Sequence, residues 1–178
     1  MDGDARIRLF CALRLPDDTV AKLVAWQAEH LHGGRLVPAP NLHATLAFLG
    51  SRPVHDVDDV AGALRAAAAD TGRSIRLRVR GYRETRSVGM LTFDDEGGRG
   101  REVAERLFGL LEELGVYRRE ARPWLPHVTV LRFRERPRLR PSLPELGEVC
   151  PSDAAVYSSV LRSAGAQYEV LESVALNP

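Results

Sequence analysis

One strand pattern occurs twice in this chain, and its repetition restricts the folds available to the chain. The stretches NLHATLAFLG, 41–50, and RPWLPHVTVLRF, 122–133, are apolar, closely follow prolines and contain a histidine and a threonine two positions apart. The two histidines, His43 and His127, are 84 residues apart in a chain of 178. Each half therefore supplies one such strand together with other strand and helix patterns, which predicts two similar lobes.

Each of these strands separates polar from apolar side chains. Because successive residues of a strand point to opposite faces, His43 and Thr45 share one face, and Leu46 and Phe48 are predicted to lie on the other, packed face. A single histidine in this position would more often be a hydrogen-bonded residue on a half-exposed strand than a catalytic group. The second copy of the motif favours the catalytic hypothesis.

Two HxTx motifs, at 43–46 and 127–130, can meet across a cleft and place two imidazoles and two hydroxyls around one bound group. Histidine titrates near neutrality, so one member of the pair can be a neutral base while the other is a protonated acid. Hydrolysis of a phosphodiester needs both, because water must lose a proton and the leaving oxygen must gain one. Threonine hydroxyls can hold the non-bridging phosphate oxygens. This scheme requires no metal and no other cofactor.

The rest of the chain mixes strand and helix patterns and predicts a single α+β domain over residues 1–178, with lobes that exchange strands. In REVAERLFGLLEELG an apolar stripe from Val103 to Leu114 predicts a helix, and Gly115 is placed to end it. The most loop-like stretch of the middle is DDEGGRG, 94–100, which predicts the boundary between the halves.

Composition indicates an ordinary folded protein, with 44% hydrophobic residues. The apolar run near the N-terminus is too short for a signal peptide and no run approaches membrane-spanning length, so we expect a cytoplasmic protein. Cys11 and Cys150 are isolated and lack CxxC spacing, which predicts free thiols. We expect a monomer.

Arginine supplies nearly all of the positive charge, since Lys22 is the single lysine. One cluster, RSIRLRVRGYRETR at 73–86, alternates arginine with apolar residues as on a strand with one solvated face, and another lies at 132–140. Such clusters usually mark solvated surface. The alternative is a site for an anionic partner, because the forked donors of arginine suit phosphate.

The two motifs and their flanks resemble the two-histidine phosphoesterases, and within them the LigT-like RNA 2′,3′-cyclic phosphodiesterases, also called the 2′-5′ RNA ligase family. The resemblance covers RLFCALRLP, GRLVPAPNLHATLAFLG, RPWLPHVTVLR and SSVLRSAGAQYEVL, and so nearly the whole chain. It implies two pseudo-symmetric α+β lobes with antiparallel sheets facing a central cleft and helices outside. It also implies a substrate, an RNA end or nucleotide with a 2′,3′-cyclic phosphate that is opened to a 2′-phosphate, and possible 2′-5′ ligation.

By the same resemblance, His43 protonates the leaving 3′ oxygen, His127 activates water, and Thr45 and Thr129 hold the phosphate. The family also places an arginine after its second motif, which Arg132 matches.

Phe48 occupies the equivalent place after the first motif, where it would either stack on a base or pack in the core. Strict alternation places Arg132 on the face opposite His127, so its predicted contact with the nucleotide requires a bulge or bend near the end of the strand.

Three other functions compete with this one. The cleft could bind RNA or a nucleotide without turnover, although binding alone does not need two histidines. The enzyme could act on a small cyclic nucleotide rather than on RNA. A metallohydrolase could use both histidines as ligands, but no carboxylate or thiol accompanies either motif at a spacing that would complete a coordination shell.

Overall fold

The computed structural model describes residues 5–69 and 73–176. Over these ranges the elements follow in the order β1 (Arg6–Arg14), α1 (Asp17–His30), β2 (Arg35–Leu36), β3 (His43–Pro53), α2 (Asp56–Ala68), β4 (Arg76–Glu84), β5 (Val88–Glu96), α3 (Arg99–Glu113), β6 (His127–Arg132), β7 (Asp153–Arg162) and β8 (Gly165–Ala175). A 3-10 turn, Ala39–Asn41, precedes β3.

The strands form one curled antiparallel sheet in the order β4-β5-β6-β3-β1-β7-β8, with β2 paired to β6. The two HxTx strands, β3 and β6, are neighbours at its centre, joined where Ala44 pairs with Val128. The predicted α+β class with antiparallel strands is confirmed. The two halves of the sequence therefore share a continuous sheet, with β1, β7 and β8 on one side of this junction and β4 and β5 on the other.

Each HxTx strand follows a strand and a helix, β1-α1-β3 in the first half and β5-α3-β6 in the second, and in each half the two strands pair antiparallel. The apolar residues between the motif residues, Ala44 and Val128, are fully buried in the same cluster as helix residues such as Leu23 and Leu107. The helices thus cover the face of the sheet opposite the histidines. Burying a leucine side chain stabilises the fold by roughly 1.5–3 kcal/mol.

Helix α3 shows how the apolar stripe determines packing. Val103, Leu107 and Leu111 are fully buried, as the stripe predicts, and Gly115 follows the helix with φ of 72° and donates its N–H to the Glu112 carbonyl. Leu114 is 44% exposed, because the helix ends at Glu113 and the chain turns away there.

The predicted boundary at 94–100 is wrong. Asp94 belongs to β5, α3 begins at Arg99, and the turn between them is confined to Gly97 and Gly98, which both have positive φ. Acidic residues and paired glycines resemble a linker in sequence, yet here they end a strand and begin a helix within one half. Asp95 accepts hydrogen bonds from the backbone N–H groups of the first turn of α3, which explains its place.

Three arginines in the first part of the arginine-rich strand β4 are paired with neighbouring acids. Arg76 and Arg78 lie within 4 Å of Glu148, and Arg80 lies 3.8 Å from Asp94. All three arginine side chains are well exposed to solvent, so these are surface ion pairs that each contribute little stability. This part of β4 is a solvated face. Both cysteines are free thiols, with Cys11 fully buried.

Candidate active site

Both HxTx strands contain a bulge directly after the threonine. In β3, Cys11 pairs with Ala47 and Ala12 pairs with Thr45, so Leu46 is an extra residue. In β6, Gly89 pairs with Leu131 and Met90 pairs with Thr129, so Val130 is the extra residue. A bulge of this kind shifts the alternation of side chains by one position.

The bulges decide where the following side chains point. Leu46 and Ala47 are buried in succession, and Phe48, the next residue, returns to the polar face with 57% of its surface exposed. The prediction that Phe48 shares the packed face with Leu46 is therefore wrong. In β6 the same change of phase brings Arg132, five residues after His127, to the face of the histidine, through the bulge that its predicted contact requires.

A cavity of about 320 Å³ lies on this polar face and gathers the residues of both motifs. Its lining includes both histidines and threonines of the motifs, with Phe48 and Arg132. Its rim is closed by β2 and by the β7–β8 hairpin. Asn41 and Arg35 hold this hairpin by donating side-chain hydrogen bonds to the carbonyls of Ala166 and Ala164, at 3.0 and 3.1 Å.

His43 lies against an aromatic cluster. Its ring centroid is 5.0 Å from that of Phe10, 5.8 Å from Tyr157 and 5.5 Å from Tyr168. Its Nε2 atom is 3.0 Å from the Thr45 hydroxyl, so the two motif residues already contact each other. These aromatic neighbours come from β1, β7 and β8, far apart in sequence, and no spacing in the chain predicted them.

Burial in this cluster lowers the pKa of His43 from 6.5 to about 4. The positive charges of His127 and Arg132 act in the same direction, and the backbone carbonyl of Asn41 opposes them. His43 Nδ1 nevertheless makes no hydrogen bond of normal geometry within the described residues. The imidazole is therefore neutral at physiological pH when the cavity holds no anion.

His127 is held differently, because its Nδ1 lies 2.9 Å from the carbonyl oxygen of Leu125. A carbonyl can only accept, so Nδ1 carries the proton and the neutral ring keeps a lone pair on Nε2. In this tautomer, Nε2 of His127 is the ring nitrogen that can accept a proton in the cavity. Thr129, unlike Thr45, has a hydroxyl that makes no side-chain hydrogen bond within the described ranges.

Two side chains, one from each half of the sequence, donate hydrogen bonds to the motif strand of the other half. Trp124, from the second half, donates its indole N–H to the Thr45 carbonyl of β3 at 3.0 Å. Gln27, from the first half and only 2% exposed, donates to the bulge carbonyl of Val130 in β6 at 2.8 Å and to that of Val37 at 3.0 Å. Sequence patterns did not single out either residue, since one looks like a core aromatic and the other like a helix-surface polar residue.

The remaining histidines lie away from the cavity. His30 and His55 contact neighbouring carboxylates, and His32 is exposed. Across residues 5–69 and 73–176, no group of three or more His, Cys, Asp or Glu side chains is arranged to hold a metal ion. None of the helices in those ranges has the length and apolar character needed to cross a membrane.

Comparisons with known proteins find relatives along the whole chain. The sequence profile of the LigT like Phosphoesterase family matches residues 13–83. The RNA 2′,3′-cyclic phosphodiesterase of Thermus thermophilus is 33% identical over 183 residues, covering 96% of this chain and 90% of that protein. The RNA 2′,3′-cyclic phosphodiesterase of Escherichia coli is 34% identical over 142 residues, covering 70% of this chain and 71% of that protein.

Solved structures show the same fold. The crystal structure of Escherichia coli LigT complexed with NADP⁺ matches with a TM-score of 0.80 at 26% identity, covering 98% of this chain and all of the other. The crystal structure of the Thermus thermophilus protein TT0787 matches with a TM-score of 0.79 at 33% identity, covering 96% and 98% of the two chains. The fold of this chain is therefore similar to those of LigT and TT0787.

Proposed function

This chain belongs to the LigT-like phosphoesterase family, and we infer that it is an RNA 2′,3′-cyclic phosphodiesterase that uses His43 and His127 as its acid and base. Two relatives at 33% and 34% identity carry the name of that activity. The observation that supports the site most strongly is the cavity that gathers both HxTx motifs from distant parts of the chain.

The proposed reaction is an in-line displacement at the cyclic phosphate. His127 Nε2, free because Nδ1 donates to Leu125, takes a proton from water as the water oxygen bonds to phosphorus. His43 donates its Nε2 proton to the 3′ oxygen as the bond from phosphorus to that oxygen breaks. The product is a 2′-phosphate with a free 3′ hydroxyl. The choice of His43 for the leaving side follows the family resemblance.

The lowered pKa of His43 opposes the acid role in an empty cavity, because the ring is then neutral. A bound phosphodiester carries a negative charge, which favours the imidazolium and offsets the repulsion from Arg132. We propose that substrate binding itself raises the pKa of His43, so that the imidazole becomes protonated and can act as the acid. A bell-shaped dependence of rate on pH follows, since one imidazole must be charged while the other is neutral.

Four further side chains complete the proposed site. Thr45 and Thr129 donate hydroxyl hydrogen bonds to the non-bridging oxygens, whose charge grows in the transition state. Arg132 and Phe48, at equivalent positions after the two bulges, contact the nucleotide through charge and through a flat face.

The partners are RNA ends or nucleotides with a 2′,3′-cyclic phosphate, and we propose a cytoplasmic monomer. A 5′-hydroxyl in place of water would give 2′-5′ ligation.

Hydrolysis of an oligoribonucleotide with a 2′,3′-cyclic phosphate end tests the function. We expect a single product with a 2′-phosphate, identified by phosphorus NMR. A 3′-phosphate would reverse the assignment of the leaving side, and binding without turnover would make the protein an RNA-binding module.

Metal chelation tests the proton-transfer scheme against the metallohydrolase alternative. We expect full activity after exhaustive chelation, because the acid and base act without a Lewis acid. Activity that is lost on chelation and restored by zinc or manganese would make the histidines metal ligands.

A further inference from the structure

A second cavity, of about 680 Å³, adjoins the catalytic one. The two share Thr45, Phe48 and His127, so the second cavity opens on the side of the proposed base, whereas His43 and Arg132 line only the first. Its volume lies within the range of ligand sites, roughly 300–1,000 Å³. The proposed hydrolysis of a terminal cyclic phosphate involves only the first cavity and leaves the second without a role.

The walls of the second cavity combine flat rings with positive charge. Trp124 and Tyr117, from the segment between α3 and β6, line it together with the exposed Phe48. Arg83 of β4 and Arg118 line it too. Trp124 also bonds to the Thr45 carbonyl, so this wall is fixed relative to the catalytic strand.

Ion pairing distinguishes these two arginines from other arginines of the chain. Within the described residues, neither Arg83 nor Arg118 forms an ion pair or a side-chain hydrogen bond, whereas Arg76, Arg78 and Arg80 on the same strand β4 all have acidic partners. Both unpaired arginines are exposed. Glu120, the one acid that the described part of the chain contributes to the lining, lies 3.8 Å from Arg122, which also lines the cavity, so the cavity keeps an excess of positive charge.

We propose that the second cavity binds the RNA segment that precedes the terminal nucleotide, and so makes the enzyme selective for oligoribonucleotides over cyclic mononucleotides. Arg83 and Arg118 contact backbone phosphate, and bases stack on the aromatic wall. Proteins that bind single-stranded nucleic acid combine these two features, a positive groove and aromatic platforms. This inference rests on the proposed function, and it specifies the substrate class of that site.

The test compares two substrates that differ only in length, adenosine 2′,3′-cyclic monophosphate and penta-adenylate with a 2′,3′-cyclic phosphate end. We expect the wild-type protein to have a higher kcat/KM for the oligonucleotide. Arg83→Ala and Arg118→Ala should each lower the ratio of the two kcat/KM values about tenfold, the effect of losing one charge-assisted contact. Arg80→Ala is the matched control, because it removes the same charge from β4 outside both cavities.

Salt gives an independent measure. The slope of log Kd against log salt for the penta-adenylate product should fall by about 0.7 for each phosphate contact removed by the arginine substitutions, and should not change in Arg80→Ala. Thermal melting of each variant checks that it is folded.

Failure of the inference and failure of the proposed function give different results. Turnover of both substrates with equal kcat/KM, or a preference that survives loss of both arginines, overturns the inference and leaves the function intact. Arginine variants that impair only 2′-5′ ligation also overturn it, because the cavity would then hold the 5′-hydroxyl fragment. If neither substrate is turned over, the proposed function is wrong. The inference is then tested by the Kd values of the 2′-phosphate products of the two substrates, measured for the wild-type protein and for the same arginine variants.

Discussion

The two HxTx strands share the same bulged backbone pattern, but their histidines have different surroundings. In both, one extra residue after the threonine brings the fifth residue beyond the histidine back to the cavity. His43, however, lies among three aromatic rings that lower its pKa, while His127 donates from Nδ1 to a carbonyl. A duplicated motif therefore supplies matching geometry, whereas the neighbours of each copy differ: burial lowers the pKa of His43, and a backbone carbonyl fixes the tautomer of His127. His127 is thus prepared to accept a proton, whereas the proposed acid His43 needs the charge of a bound phosphate to become protonated.

Removing either histidine should have the largest effect. We expect His43→Ala and His127→Ala each to lower kcat about 10²- to 10⁴-fold, since each loses one proton transfer. His32→Ala is the control, because His32 is exposed and distant from the cavity. Near wild-type turnover of the cyclic substrate by either motif variant, with the fold intact by circular dichroism, would exclude the acid-base pair.

The aromatic surroundings of His43 should make stability depend on pH. Between pH 6.5 and about 4 the unfolded chain binds a proton at His43 that the folded protein does not, so stability falls as pH falls through this range. From pH 7 to pH 5 the wild-type protein should lose about 2 kcal/mol more of its free energy of unfolding than His43→Gln does. Urea unfolding of both proteins at several pH values measures this difference. If the free energy of unfolding had the same pH dependence in both proteins, the lowered pKa of His43 would be contradicted.

The bulge in β6 should depend on Gln27. Gln27→Met keeps the shape of the side chain but removes the donors to the Val37 and Val130 carbonyls, which should cost about 1–3 kcal/mol of unfolding free energy. Because the bulge directs Arg132 to the cavity, KM should also rise. Gln167→Met, at an exposed position of β8, should stay within about 0.5 kcal/mol of wild type. Equal stability of the two variants would show that the bulge forms without Gln27.

The residues after the two bulges should have the smallest effects, and these should appear mainly in KM. Phe48→Ala and Arg132→Ala should each raise KM about tenfold, the order of one stacking or charge-assisted contact. Phe48 is 57% exposed, so its loss should barely change the melting temperature. Arg132→Lys should recover little if the planar guanidinium is needed. Full recovery by lysine would reduce the role of Arg132 to charge alone, and no effect of alanine at either position would remove that residue from the nucleotide site.

Strict alternation along a strand correctly assigned the faces of His43, Thr45, His127 and Thr129, because these residues precede the bulges. It failed at Phe48, which follows one. A bulge depends on how two strands pair and on which groups satisfy the freed backbone, as the Gln27 amide and the Val37 N–H together do for the Val130 carbonyl. The linker interpretation of 94–100 failed for a similar reason, since a glycine pair flanked by acids suits a tight strand-to-helix turn as well as a boundary between lobes.

The sequence by itself determined the repeated HxTx strands, the α+β class and the family, because these depend on residue types at fixed spacing along one chain. Only the tertiary structure decided that β3 and β6 are neighbours in a single sheet and that β1, β7 and β8 enclose His43 in aromatic rings. It also decided that, within the described residues, Arg83 and Arg118 have no acidic partner while Arg76, Arg78 and Arg80 do. The physical reason is that proton affinity and charge pairing depend on distances between residues that are far apart in sequence, and folding alone sets those distances.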